Sequence, residues 1–222
     1  MIRSSAPPPL PPVDHLIWGG RDLEQEIDRL QALIGVRATP GGRHIGQGTR
    51  NALIRLGRAM YLELIGPDPS QPPPASPRWL GLDDLVTPRL ITWAAKAEDL
   101  EHRADAGRRA GLELGEVRSG QRQQSNGEML SWRLTYPDMR HGDGLVPFLI
   151  DWGRSPHPAE HAPAGAELVE LRAEHPDPVV IGRLLRHLGI ELRVSRGPAP
   201  ALIATLETPH GRVELAPPSS SP

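Results

Sequence analysis

The chain has 222 residues and a formal net charge of −2 at pH 7. This charge provides no strong attraction to nucleic acid or to a lipid surface, and no apolar stretch approaches the roughly 18 residues that a membrane span requires. Because the sequence contains no cysteine, disulfides, thiolate catalysis and zinc–thiolate sites are excluded. We therefore expect a cytoplasmic protein that binds a small molecule, with neither nucleic acid nor a membrane as a partner.

One pattern occurs three times along the chain: a short apolar strand, an acidic-led helix that ends at glycine, and further strands. A shift of 77 residues places His15 on Thr92 and carries the tripeptide at 22–24 onto the identical tripeptide at 99–101. A further shift of 78 places Glu170 at the same point of a third copy. A period of this length that contains both strand and helix indicates a duplicated supersecondary unit. The sequence therefore predicts an α+β protein built from βαβββ modules.

Clusters of proline divide the copies, because proline removes backbone donors and ends strands. These clusters predict a disordered tail, two linkers between modules and a second tail. The expected divisions are a tail at 1–12, a first module at 13–66, a linker at 67–87, a second module at 88–153, a linker at 154–166, a third βαβββ-like module at 167–216 and a tail at 217–222.

The helix of the first module has recognisable ends. Asp22 is a good N-cap, and Gly35 is a typical residue to end the helix. Between them, apolar residues recur at helical spacing and form one stripe, which consists of Leu23, Ile27, Leu30 and Ile34. The sequence thus predicts one helix here, with its apolar face on a sheet.

Strand alternation assigns side chains to the two faces of that sheet. In the first strand, Asp14, Leu16 and Trp18 are expected to face the helix, which turns His15 to the opposite, open face. In the fourth strand, Glu63 is expected on the same open face. A carboxylate within an apolar strand needs a partner, and His15 is the obvious one. The pair is predicted to be catalytic, to bind a metal, or to be a structural ion pair.

The module order and several short sequence motifs resemble those of the vicinal oxygen chelate superfamily, and within it the glyoxalase-like domain branch. These motifs lie at residues 14–17, 41–44, 48–51, 61–64 and 147–150. The resemblance implies curved mixed sheets with helices packed on the convex face. It also implies a cup that holds one divalent metal, with ligands from the first and fourth strands of each of two modules.

Carried onto this chain, the implied ligands in the first module are His15 and Glu63. In the second module the corresponding residues are Thr92 and, when Gly66 is aligned with Gly153, Ile150. Neither is a usual ligand, so the resemblance leaves two alternatives open. One is a metal site for Mn, Fe, Ni or Zn, and the other is a cup that holds no metal.

A second pairing of modules would supply different ligands. If the first and third modules formed the cup, Glu170 and Glu214 would join His15 and Glu63, and an oxygen-rich set of this kind suits manganese, iron(II) or magnesium. Against this, Glu170, Arg172 and Glu174 alternate with apolar residues as in an ordinary solvent-facing strand.

Further ligand-binding residues are expected around the cup, both in and beside the Gly-rich segment at 40–49 and on the second module. Arg118, Arg122 and Trp132 suggest a wall for a carboxylate-bearing or planar ligand. The complete set of predicted ligand-binding residues is His44, Thr49, Asn51, Tyr61, Thr92, Arg122 and Trp132.

Two functions follow from the resemblance. One is a metal-dependent lyase, isomerase or dioxygenase that uses His15 and Glu63. The other is a non-catalytic protein that binds or sequesters a small molecule and has an incomplete metal site. A homodimer is also expected, because a third module leaves a sheet edge or face that a symmetric partner could cover.

Overall fold

The protein was analysed as a computed structural model, which describes residues 9–123, 129–136 and 141–217. The predicted tails at 1–12 and 217–222 lie largely outside these ranges. Within the described residues, no helix combines the length and apolar character needed to cross a membrane. The helices are α1 (Leu23–Ile34), α2 (Leu100–Arg109) and α3 (Pro178–His187), with short 3-10 helices at Trp79–Asp84, His141–Gly144 and Pro158–Glu160.

Twelve strands accompany these helices. They are β1 (Val13–Gly19), β2 (Thr39–His44), β3 (Thr49–Gly57), β4 (Met60–Pro67), β5 (Arg89–Lys96), β6 (Glu116–Gln123), β7 (Met129–Tyr136), β8 (Phe148–Asp151), β9 (Glu167–His175), β10 (Arg193–Arg196), β11 (Ala201–Thr208) and β12 (Gly211–Leu215).

The first eight strands form one sheet in the order β2-β3-β4-β1-β5-β8-β7-β6. Each βαβββ unit contributes four neighbouring strands, and the two units join where β1 pairs antiparallel with β5. The edge strands β2 and β6 approach each other, so the sheet curves into a half-barrel. The predicted α+β class with curved mixed sheets is confirmed, and consecutive units form the cup.

The last four strands form a separate sheet in the order β10-β9-β11-β12. The order of elements along the chain is again βαβββ, but β9 lies between β10 and β11, whereas β1 pairs with β4. This smaller sheet packs behind the large one, because β9 approaches β3 and β11 approaches β5. It therefore does not contribute to the concave side of the large sheet.

One large hydrophobic core joins the helices to the convex face of the half-barrel. Leu16, Trp18, Leu62 and Leu64 point into this core, as alternation predicted. The ends of α1 also agree with prediction: the Asp22 carboxylate accepts hydrogen bonds from two backbone N–H groups of the first turn. Gly35 ends the helix at φ 75°, a left-handed conformation that costs glycine little.

Candidate functional site

A cavity of about 280 Å³ occupies the concave side of the half-barrel. One end of its wall carries polar side chains, which are His15, His44, Asn51, Glu63 and Arg122. Elsewhere the wall combines aliphatic residues with aromatic ones, which include Trp79, Trp132, Tyr136, Phe148 and Trp152. A mostly apolar cleft with a few convergent polar groups is the usual form of a small-molecule site.

His15 and Glu63 lie together at the polar end. Glu63 Oε2 is 3.6 Å from His15 Nε2, and Glu63 Oε1 accepts a hydrogen bond of 2.6 Å from Asn51 Nδ2. Both His15 and Glu63 are largely buried. The carboxylate is therefore held by an amide donor beside an imidazole, on the wall of the cavity.

The Asp14 side chain also lies beside His15, although strand alternation predicted that it faces the helix. The pairing of β1 with β5 shifts by one residue between Val13 and His15, and Val13 lies in the helix-side core. A bulge of this kind turns an extra side chain to one face. The prediction that Asp14 faces the helix is therefore wrong.

Three donors converge on the buried Asp14 carboxylate. His15 Nδ1 lies 2.8 Å from Oδ1, His157 Nε2 lies 3.2 Å from Oδ2, and Trp152 Nε1 is 3.2 Å from both oxygens. Burial by itself would raise the pKa of Asp14, but the hydrogen bonds from His15 and His157 outweigh it and hold the pKa well below its usual range. Asp14 is thus an ionised carboxylate that orients the His15 ring.

Aromatic rings enclose His15 from two sides. The Tyr61 ring stacks on the imidazole with centroids 4.5 Å apart, and the Phe148 ring meets it edge-on at 5.7 Å. Burial raises the pKa of the Tyr61 hydroxyl well above its usual value, and the charges of Glu63 and Asp14 raise it further. Tyr61 is therefore a neutral hydrogen-bonding group on the cavity wall.

The strand register identifies which residue of the second unit corresponds to Glu63. Ile17 pairs with Glu63 in the first unit. The shift of 77 residues carries Ile17 onto Ala94, and Ala94 pairs with Phe148. Phe148, and not Ile150 as the glycine alignment suggested, therefore occupies the position of Glu63.

The donor set at these four positions does not fit a metal ion. The positions hold His15, Glu63, Thr92 and Phe148, whereas a stable divalent site usually needs at least three protein ligands. Within the part of the chain that the structure describes, no group of three or more His, Cys, Asp or Glu side chains could hold a metal. Glu170 and Glu214, the alternative ligands, lie on the smaller sheet, where Arg193 and Arg172 pair with them.

The other predicted ligand-binding residues divide into two groups. His44, Asn51, Tyr61, Arg122 and Trp132 line the cavity. Thr49 does not line it, but its hydroxyl lies 2.9 Å from His44 Nδ1 and so supports that ring. Thr92 is fully buried, does not line the cavity, and leaves its hydroxyl without a hydrogen-bond partner.

Two basic groups at the polar end, His44 and Arg122, are affected by burial. Burial lowers the pKa of His44, and the nearby Arg122 lowers it further, although Glu63 acts in the opposite direction. Burial also lowers the pKa of Arg122, while Tyr61 and Glu63 raise it. Arg122 Nη1 is buried and has no hydrogen-bond partner among the described residues, although the residue lines the cavity.

The linker after the first unit contributes to the site, although the sequence did not predict this. Trp79 and Leu80, from the linker after the first unit, line the cavity, and Leu80 has a left-handed φ of 68°. Arg78 helps to hold this turn by donating to Asp83 and to the Gly48 carbonyl. A strained residue that lines a cavity is a frequent feature of binding sites. No periodic signal in a proline-rich linker could have indicated it.

Trp18 of β1 and Trp152, the residue after β8, have different surroundings. Trp18 lies in the helix-side core, as predicted. Trp152 lines the cavity beside Trp132, with ring centroids 5.4 Å apart. The adjacent His157, assigned to a linker, contacts Asp14. The adjacency of Asp14 and His15 in the sequence was the one available signal for this group.

Two βαβββ units in one curved sheet, with a cavity on the concave side, define the fold of the vicinal oxygen chelate superfamily. Residues 13–189 match the family model described as "Glyoxalase-like domain". The chain belongs to this family. None of the curated proteins matches it.

Solved structures share the fold at low sequence identity. A hypothetical protein from Staphylococcus aureus is 14% identical with a TM-score of 0.62, over 93% of this chain and 85% of that one. The methylmalonyl-CoA epimerase from Mycobacterium tuberculosis is 18% identical with a TM-score of 0.41, over 64% and 87%. A variant of the Streptomyces coelicolor methylmalonyl-CoA epimerase in complex with 2-nitronate-propionyl-CoA is 21% identical with a TM-score of 0.46, over 66% and 98%. At these identities the likeness concerns the fold alone.

Proposed function

We propose that this protein binds a small organic molecule in its cup directly through side chains, without a divalent metal. The observation that carries this proposal is the identity of the second-unit residues at the expected ligand positions. Thr92 is buried away from the cavity, and Phe148 places an aromatic ring against His15. The second unit thus supplies packing groups at these positions instead of ligands, while an open cavity of about 280 Å³ remains.

The chemistry of the wall supports a ligand with both polar and apolar parts. Glu63, Asn51 and Arg122 offer a carboxylate, an amide and a guanidinium at one end, and the aromatic residues cover the other. A small, amphipathic molecule satisfies both ends at once, since buried polar groups need partners and apolar surface gains by leaving water.

Two measurements test the proposal together. Elemental mass spectrometry on protein purified without a histidine tag is expected to find no stoichiometric metal, and added Mn, Fe(II), Ni or Zn should not be retained. Ligand-observed NMR screening with small molecules should find binders. In protein-observed spectra, the amide resonances that each binder shifts should concentrate around Asn51, Glu63 and Arg122. Strands β9–β12 of the smaller sheet serve as the internal control.

Near-stoichiometric metal that is lost in both His15→Ala and Glu63→Ala variants would overturn this proposal. It would favour the metal-dependent lyase, isomerase or dioxygenase that the family resemblance implies. Shift changes confined to the smaller sheet would equally contradict a ligand site in the cup.

A second candidate function is proton transfer without a metal, and one observation favours it. Asp14 contacts Nδ1 of His15, which leaves Nε2 directed toward Glu63 at 3.6 Å. An imidazole oriented by a carboxylate can exchange protons with a neighbouring acid. Proton exchange on a bound ligand in D₂O, followed by NMR and compared with the Glu63→Gln variant, tests this candidate. Equal rates in the two proteins would contradict it.

A further inference from the structure

Strand β6 carries an unusual arrangement on the wall of the cavity. Arg118, Gly120 and Arg122 alternate along β6, and Gly120 lies directly opposite Trp132 of β7. A Cβ atom added at Gly120 would lie 2.5 Å from the Trp132 indole. The indole therefore lies across the β6 backbone at a point where only glycine leaves room. This places an aromatic ring between two arginines.

The two arginines differ in their surroundings. Arg122 is buried. Within the described residues, its Nη1 has no hydrogen-bond partner and its guanidinium forms no ion pair. The Arg118 side chain is more than half exposed, and its guanidinium lies 4.4 Å from the centre of the Tyr136 ring. Tyr136 in turn stacks on Trp79 at 4.4 Å, so aromatic surface continues around the cavity from this strand.

Two described carboxylates near this wall, Glu63 and Asp14, already have partners. Glu63 is engaged by Asn51 and faces His15, and Asp14 receives three donors. Neither is paired with Arg122 through a contact within 4 Å. A buried guanidinium without a close counter-charge is costly, and a carboxylate is the group that it binds best, since two parallel N–H donors match two oxygens.

We propose that the ligand class of the cup is a planar aromatic carboxylic acid, with its carboxylate on Arg122 and its ring on Trp132. This inference rests on the proposed function and makes it more specific. Gly120 then determines specificity, because it permits the indole to lie flat enough to receive a second ring. Offset stacking of this kind contributes about 0.5–1.5 kcal/mol beyond burial of apolar area.

Three probes of equal carbon framework separate charge from planarity. They are 2-naphthoate, its saturated counterpart decahydro-2-naphthoate, and the uncharged 2-naphthamide. Isothermal titration calorimetry on the full chain measures the affinity of each. We expect 2-naphthoate to bind about 3- to 10-fold tighter than the saturated acid, the range given by the stacking energy. We expect it to bind about 10- to 100-fold tighter than the amide, the range for loss of a charged hydrogen bond.

Variants then assign each preference to a residue. Gly120→Ala pushes the indole away and should remove the preference for the planar acid over the saturated one, while both acids keep their preference over the amide. Trp132→Leu should do the same and serves as the second variant if Gly120→Ala does not fold. Arg122→Gln should weaken both acids and leave the amide unchanged. Gln121→Ala, on the opposite face of β6, is the matched control and should change nothing.

Each result decides between the inference and the proposed function. Binding of 2-naphthoate that Gly120→Ala and Arg122→Gln alter as described supports both. Equal binding of the three probes, mapped to the cup by NMR, would overturn the inference and leave the proposed function standing. Failure of all three to bind would also overturn the inference. If the screen of other small molecules then found no ligand in the cup either, the proposed function would fall as well.

Discussion

Phe148 occupies in the second unit the position that Glu63 occupies in the first, and its ring meets the His15 imidazole edge-on with centroids 5.7 Å apart. The half-barrel thus keeps the two-fold plan of its family while only one half offers metal-ligating side chains. An aromatic ring at this position packs with Ile17, Ala94 and Ile150 and gives that side of the cup an apolar wall.

This relationship predicts that a metal site can be restored. The Phe148→Glu variant adds a carboxylate at the position equivalent to Glu63, and with His15 and Glu63 it completes three protein ligands. We expect the variant to retain Mn²⁺ or Ni²⁺ that the unmodified protein does not retain, as measured by titration calorimetry and elemental mass spectrometry.

Ile150→Glu is the matched control for this prediction. Ile150 also lines the cavity, but the register places it two residues beyond the position of Glu63. It should therefore not gain metal. If Ile150→Glu gained metal and Phe148→Glu did not, the correspondence derived from the strand pairing would be wrong.

The Asp14 carboxylate is predicted to stabilise the fold. Asp14→Asn removes the charge that the buried donors of His15, His157 and Trp152 surround, and we expect a loss of about 1–3 kcal/mol in the free energy of unfolding. Urea denaturation measures this change. The control is Asp28→Asn, which alters an exposed ion pair with Arg37 and should cost less than about 1 kcal/mol. Equal effects of the two substitutions would contradict a special role for Asp14.

Stability is predicted to fall in acid, and the sign follows from the two lowered pKa values. For His44, burial lowers the folded pKa below the ordinary value of about 6.5. As the pH falls below about 6.5, His44 takes up a proton in the unfolded chain before it does so in the folded protein, so the free energy of unfolding decreases. For Asp14 the folded pKa is also lowered. Its contribution is present above about pH 3.9 and is lost as the pH falls toward the folded pKa.

His44→Gln isolates the first of these contributions. The variant should lose less stability than the unmodified protein between pH 7 and pH 5, as measured by urea denaturation at a series of pH values. A single titrating group changes the slope by at most about 1.4 kcal/mol per pH unit. The same slope in both proteins over this range would contradict a lowered pKa for His44.

Arg122 is predicted to reduce stability in the absence of ligand. Nη1 of its buried guanidinium has no hydrogen-bond partner in the part of the chain that the structure describes, so Arg122→Met should raise the free energy of unfolding by about 1 kcal/mol and raise the melting temperature. Differential scanning calorimetry without ligand measures this change. A lower melting temperature would show instead that Arg122 stabilises the fold. The control is Arg118→Met, whose exposed side chain should change stability by less.

Several features of the site could be predicted from local sequence. The faces of His15 and Glu63 follow from a period of two residues, and the two side chains meet because β1 and β4 are neighbours in the sheet. The ends of α1 follow from Asp22 and Gly35, because caps depend on a few neighbouring residues. Arg118, Arg122 and Trp132 were likewise expected on one wall, and they line it.

Other features depend on contacts between distant strands, and local sequence does not encode them in a readable way. The bulge at Asp14 arises from the pairing of β1 with β5, and it reverses the face that alternation assigned. The correspondence of Phe148 with Glu63 depends on the register between β5 and β8, which a glycine alignment misjudged by two residues. The turn at Leu80 lies at the cavity in a linker that Arg78 joins to the half-barrel by donating a hydrogen bond to the Gly48 carbonyl.

The sequence by itself therefore determined the repeated units, the ends of α1 and the faces of their strands that carry His15 and Glu63, since each follows from a pattern within a single element or from direct repetition. Only the tertiary structure decided that the first two units share one sheet, that β1 and β4 pair so that His15 meets Glu63, that the third unit has its own strand order, and that Phe148 occupies the position equivalent to Glu63. These outcomes depend on which strands pair and in what register, and pairing is settled by packing across the whole fold.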